Sequence, residues 1–124
     1  MAIGYGALLL AWLTPEDNTI FVVSLLGAGL SLMIVLLVVL RWFGGRTLAP
    51  RQWIPGLVLL GALLGFGAVW MTVFLMVFKN GWHGHAAPDF PGVVVVGIIN
   101  RAIPWTVAGA LLGGAAALVR GARR

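Results

Sequence analysis

The residues best suited to chemistry lie in one short polar stretch, in which His83 and His85 are followed by Asp89. Two imidazoles and a carboxylate can ligate a metal ion. The pattern is weak, because positions i and i+2 do not share a helix face and only three ligands are present. The long apolar segments contain no histidine to serve as an axial ligand for haem or chlorophyll. We therefore expect no cofactor, and keep a pigment, haem or metal ion held by His83 or His85 as a weaker alternative.

A second polar feature, Asn100 with Arg101, interrupts an apolar segment. An arginine at the centre of a membrane-spanning helix costs about 2.5 to 3.5 kcal/mol on insertion scales, so it needs a carboxylate, a lipid phosphate or a cavity. The long apolar segments contain no acidic residue. We expect Arg101 to lie close to the outer edge of the hydrocarbon and to reach lipid headgroups. A salt bridge to a partner subunit and an ion or proton pathway are the alternatives.

Signatures of catalysis are absent from the sequence. We find no serine with a histidine and an acid, no paired carboxylates, no glycine-rich phosphate loop and no H-E-x-x-H helix. The chain has no cysteine and only three acidic residues. We expect no enzymatic activity and no soluble substrate.

The composition is that of a membrane protein. Hydrophobic residues make up 61% of the 124 residues and charged residues 9%, against about 25% charged residues in an average soluble domain. A water-soluble core is therefore excluded. The net charge of +5 comes mainly from arginines at the boundaries of apolar segments. Because nucleic-acid binding needs a continuous basic face, we expect no nucleic-acid partner.

Two segments are long enough to cross a bilayer without interruption. Residues 55–78 contain no ionisable side chain, and at about 1.5 Å per residue a helix of this length spans a hydrocarbon core of about 30 Å. Residues 20–43 form a similar segment. Neither segment shows the alternation of a barrel strand, so both are predicted to be transmembrane helices.

The third segment, residues 92–119, is interrupted. Asn100 and Arg101 break its apolar pattern, and Pro104 suits the first turn of a helix. A span beginning at the proline would be short for a bilayer. We therefore expect one kinked helix, with residues 93–99 at or near the outer interface.

The N-terminal stretch, residues 1–13, is apolar but short, and it lacks the basic region and the cleavage site of a secretory signal. We expect a short helix that lies at the interface or packs against a neighbour, with Tyr5 and Trp12 at headgroup depth. Thr14 and Pro15 then predict a helix start, because a capping threonine precedes proline at the first helical position.

The arginines predict the orientation. Three lie in or beside the loop at 44–54 and three near the C-terminus, so the positive-inside rule makes both regions cytoplasmic. The sequence thus predicts an all-α integral membrane protein with three transmembrane helices and a short apolar N-terminal interfacial segment, its N-terminus outside and its C-terminus cytoplasmic. The predicted parts are the N-terminal segment 1–19, helix 1 at 20–43, a cytoplasmic loop at 44–54, helix 2 at 55–78, an outer loop at 79–91, a kinked helix 3 at 92–119 and a basic tail at 120–124.

Small residues recur at helical spacing in two of these helices. Gly61 and Gly65 lie in the second, and Gly109 and Gly113 in the third. Membrane helices associate by close approach of their backbones, which small side chains permit. The glycines are compatible with contact to another subunit or with packing inside the three-helix unit, and the sequence leaves both open.

These features favour a non-catalytic accessory subunit of a larger membrane complex. We hypothesise that it packs against and stabilises its neighbours in a respiratory or photosynthetic electron-transport assembly of a bacterial inner membrane. Its partners would be other membrane subunits and lipids, and it could carry bound lipid. The alternative is a small homo-oligomeric channel or transporter in which Asn100 and Arg101 face the pore.

Overall fold

The computed structural model describes residues 2–13, 19–84 and 86–123, and within these ranges all regular structure is helical. Three stretches of 24, 33 and 31 residues are long and apolar enough to span a membrane. Glu16, Asp17 and His85, together with the helix start predicted at Thr14 and Pro15, lie outside the described residues. The helices are α1 (Ala2–Leu13), α2 (Ile20–Phe43), α3 (Pro50–His83), α4 (Gly92–Ile99) and α5 (Ala102–Ala122).

The central helix is α3, which packs along α2 on one side and along α5 on the other. Its 34 residues extend about 51 Å, longer than a hydrocarbon core of about 30 Å. It begins five residues before the predicted span. Pro50 occupies the first turn, where its missing N–H removes no bond, and the Gln52 side chain accepts the Ala49 N–H at 3.3 Å.

The other end of α3 also continues beyond the predicted span, through Lys79 to His83. The helix stops at Gly84, whose φ of 62° is left-handed and whose N–H caps the Asn80 carbonyl at 3.2 Å. We call this end of the bundle the Lys79 end, and the opposite end, where α3 begins, the Arg51 end.

The contact between α3 and α5 is a backbone contact through glycines. A Cβ added at Gly61 would overlap the carbonyl of Gly109, and one added at Gly109 would overlap the carbonyl of Gly61. Gly65 lies in the same way against Trp105, and Gly113 against Leu57. All four predicted glycines therefore lie in the contact between α3 and α5, which favours the second of the two alternatives, packing inside the three-helix unit.

The contact between α2 and α3 combines small residues with hydroxyl groups. Gly27 lies directly against Thr72, and Gly67 lies against the Ser31 hydroxyl. Ser31 Oγ donates to the Leu64 carbonyl at 3.2 Å, and Thr72 Oγ1 donates to the Ala68 carbonyl at 2.7 Å. Both buried hydroxyls thus bond to backbone oxygens, as an apolar interior requires.

The short helix α1 contacts α2 through Tyr5 and α3 through its C-terminal end. The Tyr5 hydroxyl donates to the Leu26 carbonyl, and its ring lies against Gly29, nine residues into α2. Tyr5 therefore contacts α2 about 13 Å along that helix from its first residue. Trp12 is buried in the core cluster at the Lys79 end.

The hydrophobic core lies towards the Lys79 end, where four elements meet. Buried side chains from α1, α2, α3 and α4 and from the segment before α4 form one cluster, so α1 completes the core that the long helices leave open. Its buried members are Trp12, Leu13, Val23, Val69, Leu75, Met76, Phe90 and Ile98.

Replacing Gly109 with alanine should destabilise the bundle, because the new methyl group must push α3 and α5 apart. We expect a loss of about 1 to 3 kcal/mol in the free energy of unfolding, measured by denaturant titration in detergent micelles. Gly114→Ala is the matched control on the same helix, because its Cβ would meet Val58 only at an ordinary 3.6 Å. Equal stability of the two variants would contradict the close contact.

Candidate functional site

Arg101 lies at the break between α4 and α5. The Arg101 N–H donates to the Ile98 carbonyl at 3.0 Å, so the chain makes one tight turn before α5 begins. Pro104, in the first turn of α5, has no N–H to offer to the Asn100 carbonyl, and its ring would clash with that carbonyl in a continuous helix. The break is therefore a direct consequence of the proline.

The register between α3 and α5 shows which residue of α3 lies level with Arg101. Leu57 lies against Gly113, Gly61 against Gly109 and Gly65 against Trp105, so each four residues along one helix match four residues on the other. The next step places Val69 opposite Arg101.

The same register continues beyond the break. Asn80, eleven residues after Val69, bonds to Phe90, eleven residues before Arg101. Arg101 therefore lies about ten residues, or about 15 Å, from the level of Lys79. This level is near the middle of the apolar segment at 55–78.

The side chains of Asn100 and Arg101 are both exposed. Arg101 borders a small recess between α2, α3 and α5, together with Ser24 and Thr72. Among the described residues, the only ion pair joins His83 to Asp89, at the Lys79 end. Arg101 thus has no carboxylate partner within the described part of the chain.

Lys79 is fully buried at the end of the apolar part of α3. Its Nζ donates to the Trp12 carbonyl at 3.2 Å and lies 4.4 Å from the centre of the Trp12 ring. A buried ammonium group needs such partners, and the last carbonyls of a helix carry partial negative charge. Lys79 therefore fastens the C-terminal end of α1 to α3.

His83 makes a second connection to α1. Its Nε2 faces the Leu13 carbonyl at 3.0 Å, so this nitrogen must donate, and its Nδ1 contacts the Asp89 carboxylate. A metal ion or haem iron would have to displace one of these partners. Among the described residues, no group of three or more histidine, cysteine or acidic side chains could hold a metal ion.

Asn80 orders the segment that leads into α4. Its Nδ2 donates to the Phe90 carbonyl and its Oδ1 accepts the Phe90 N–H, both at 2.8 Å. Phe90 is buried, with its ring 6.4 Å from that of Trp12. The polar groups at the Lys79 end thus bond largely to the chain itself and serve to close this end of the bundle.

An exposed row of aromatic side chains runs along α3. We did not identify this row from the sequence. Neighbouring rings in contact are 6.0 to 6.2 Å apart, and all are exposed to a substantial degree. The spacing of four residues was visible in the sequence and could have revealed the row. We call it the aromatic row; its members are Phe66, Trp70, Phe74, Phe78 and Trp82.

Comparison of the chain with protein-family models, with curated proteins and with solved structures gives no match.

Replacing Asn80 with alanine should loosen the segment before α4. The change leaves the buried N–H and carbonyl of Phe90 without partners, for which we expect a loss of about 1 to 3 kcal/mol in the free energy of unfolding. Faster hydrogen–deuterium exchange at the Phe90 amide would report it. Asn100→Ala, at the exposed turn, is the control, and an unchanged exchange rate in Asn80→Ala would contradict the assigned role.

Proposed function

We propose that the chain is a non-catalytic accessory subunit of a larger membrane complex, and that a neighbouring subunit supplies a carboxylate to Arg101. The observation that carries the proposal is the exposed position of Arg101 near the middle of the apolar segment. A guanidinium group at that depth in a bilayer costs about 2.5 to 3.5 kcal/mol on insertion scales unless it is paired.

The described part of the chain offers Arg101 no carboxylate to meet this need. The chain has three acidic residues, Glu16, Asp17 and Asp89, and all lie outside the apolar segments. Asp89 contacts His83 at the Lys79 end, about 15 Å from the level of Arg101. Headgroups at that end are also too distant for an extended arginine side chain to reach with ease. A carboxylate on a transmembrane helix of another subunit meets the requirement directly.

The aromatic row gives independent support for a partner. Tryptophan at a membrane surface favours the headgroup region, where the indole N–H finds a polar partner. Trp70 lies one residue from Val69, the level of Arg101, and is 41% exposed. A neighbouring helix would cover this ring, and Trp and Phe are among the side chains that contribute most to protein interfaces.

The proposed kind of complex rests on the small, helical form of the chain and its short loops. Respiratory and photosynthetic assemblies commonly collect small helical subunits with short loops and no site chemistry, and this chain has that form. Arginine clusters at 41–51 and near the C-terminus support an orientation with the Arg51 end in the cytoplasm and the Lys79 end outside, in a bacterial inner membrane.

The second candidate is a homo-oligomeric channel or transporter lined by Asn100 and Arg101. The observation in its favour is that both side chains are exposed at one turn. A ring of arginines would suit an anion pathway. Copies related by symmetry would, however, bring like charges together, and the apolar segments contain no acidic residue to compensate them. The hetero-oligomer is therefore the stronger proposal.

Removing the charge should have opposite effects on the complex and on the isolated chain. In Arg101→Leu, we expect co-purification of foreign subunits to fall at least about tenfold, the value of a charge-assisted hydrogen bond, when the chain is isolated through a C-terminal tag in mild detergent. The isolated variant should be no less stable, because an exposed charge is replaced by an apolar side chain. Arg123→Leu is the control at the Arg51 end.

The identity of the partner can be tested by exchanging charges. Arg101→Glu should abolish assembly. Assembly of this variant should be restored when the partner's carboxylate is replaced by arginine. Assembly unchanged in Arg101→Leu would contradict the proposed pairing. A purified oligomer of this chain alone, with anion flux lost in Arg101→Leu, would favour the channel.

A further inference from the structure

An apolar groove lies between α2 and α3, on the side of the bundle away from α5. It encloses about 280 Å³ and is open along one side. Ser31 and Gly67 bound it near the tight contact between the two helices. The remaining lining residues are aliphatic apart from Phe66 and Met71: Ile34, Val35, Val38, Val39, Leu60 and Leu63.

The groove exists because the small residues that join α2 to α3 stop at Ser31 and Gly67. Towards the Lys79 end from this point, Gly27 lies against Thr72 with no space between the backbones. Towards the Arg51 end, the larger side chains of Val35 and Val39 on α2 and of Leu60 on α3 line an open gap. Met71 also borders the gap, one turn beyond Gly67 towards the Lys79 end, so the lining extends from the level of Met71 to that of Leu60, about 16 Å along α3.

Arginines follow the groove at the Arg51 end. Ile34, Val38 and Arg41 are spaced i, i+4 and i+7, so they lie along one face of α2, with Arg41 about one turn beyond Val38. Arg46 and Arg51 lie in the link between the two helices and at the start of α3. All three arginines are exposed.

These arginines have no acidic neighbour in the sequence. No aspartate or glutamate occurs between Asp17 and Asp89, and Asp89 is at the opposite end of the bundle. The apolar groove is about as long as one leaflet is deep, and it therefore ends beside three arginines that have no carboxylate partner among the described residues. The combination matches an acyl chain joined to a negatively charged headgroup.

We propose that the groove between α2 and α3 binds one acyl chain of an anionic phospholipid, whose phosphate contacts Arg41 while Arg46 and Arg51 supply further positive charge. The acyl chain lies against the valine and leucine side chains and fills the gap that α2 and α3 leave. The headgroup sits at the Arg51 end. This site is separate from Arg101, which lies at the start of α5. The lipid site and the pairing of Arg101 with a partner subunit can therefore fail independently.

The proposal is tested by lipid selection from a mixed bilayer. The purified chain is reconstituted in vesicles with equal amounts of phosphatidylglycerol and phosphatidylcholine of matched acyl chains, extracted in mild detergent and examined by native mass spectrometry. We expect one retained phosphatidylglycerol. Arg41→Gln should reduce its retention at least about fivefold. Arg123→Gln removes an exposed charge at the same end, away from the groove, and should leave retention unchanged.

Filling the groove tests the acyl-chain part separately. Val38→Trp adds bulk inside the groove and should also displace the lipid, whereas Leu111→Trp, on the exposed face of α5 at a similar depth, should not. Circular dichroism checks that both variants remain helical. Equal retention of the two lipids, or retention in Val38→Trp equal to that in Leu111→Trp, would overturn the proposal. Equal losses in Arg41→Gln and Arg123→Gln would also overturn it.

Discussion

The structure depends on the contact of two helix backbones, at the glycines where α3 meets α5. Because Gly61 and Gly109 each leave no room for a Cβ, the helices can meet only in one register. In lipid, burial of apolar side chains does little to drive helices together, so close backbone approach is the main source of specificity. The register then determines the depth of every residue on α4 and α5, including Arg101.

Charged side chains at the two ends of the bundle have partners within the described chain, whereas Arg101 between them has none that is acidic. At the Lys79 end, Lys79 and His83 each donate to a carbonyl of α1, and His83 also pairs with Asp89. At the Arg51 end, Arg120 stacks over the Trp53 ring with its guanidinium carbon 3.5 Å from the ring centre. Arg101, between these levels, is exposed and has no carboxylate partner among the described residues. This contrast favours a partner for Arg101 from outside the chain.

The sequence predicts the helical class and the three long apolar segments well, because membrane crossing depends on local composition and length. The break near Arg101 is also local, since it follows from Pro104. The depth of Arg101 could not be predicted, because it depends on which glycine of α3 meets which glycine of α5. For the same reason, the sequence could not show that Tyr5 lies against Gly29, that His83 bonds to the Leu13 carbonyl, or that α2 and α3 leave a groove. The ends of α3 were missed because polar residues end a hydrophobic span without ending a helix.

The most direct test of this account is the depth of the turn that carries Arg101. The chain has no cysteine, so Asn100→Cys provides a unique attachment site for a nitroxide label that leaves Arg101 in place. Depth in a reconstituted bilayer is read from the relative accessibility of the label to oxygen and to a water-soluble nickel chelate, with Val93→Cys and Trp82→Cys as references near the Lys79 end. We predict a label near the bilayer centre, about 10 Å or more below the label at position 93. A label at the same shallow depth as these references would contradict the account.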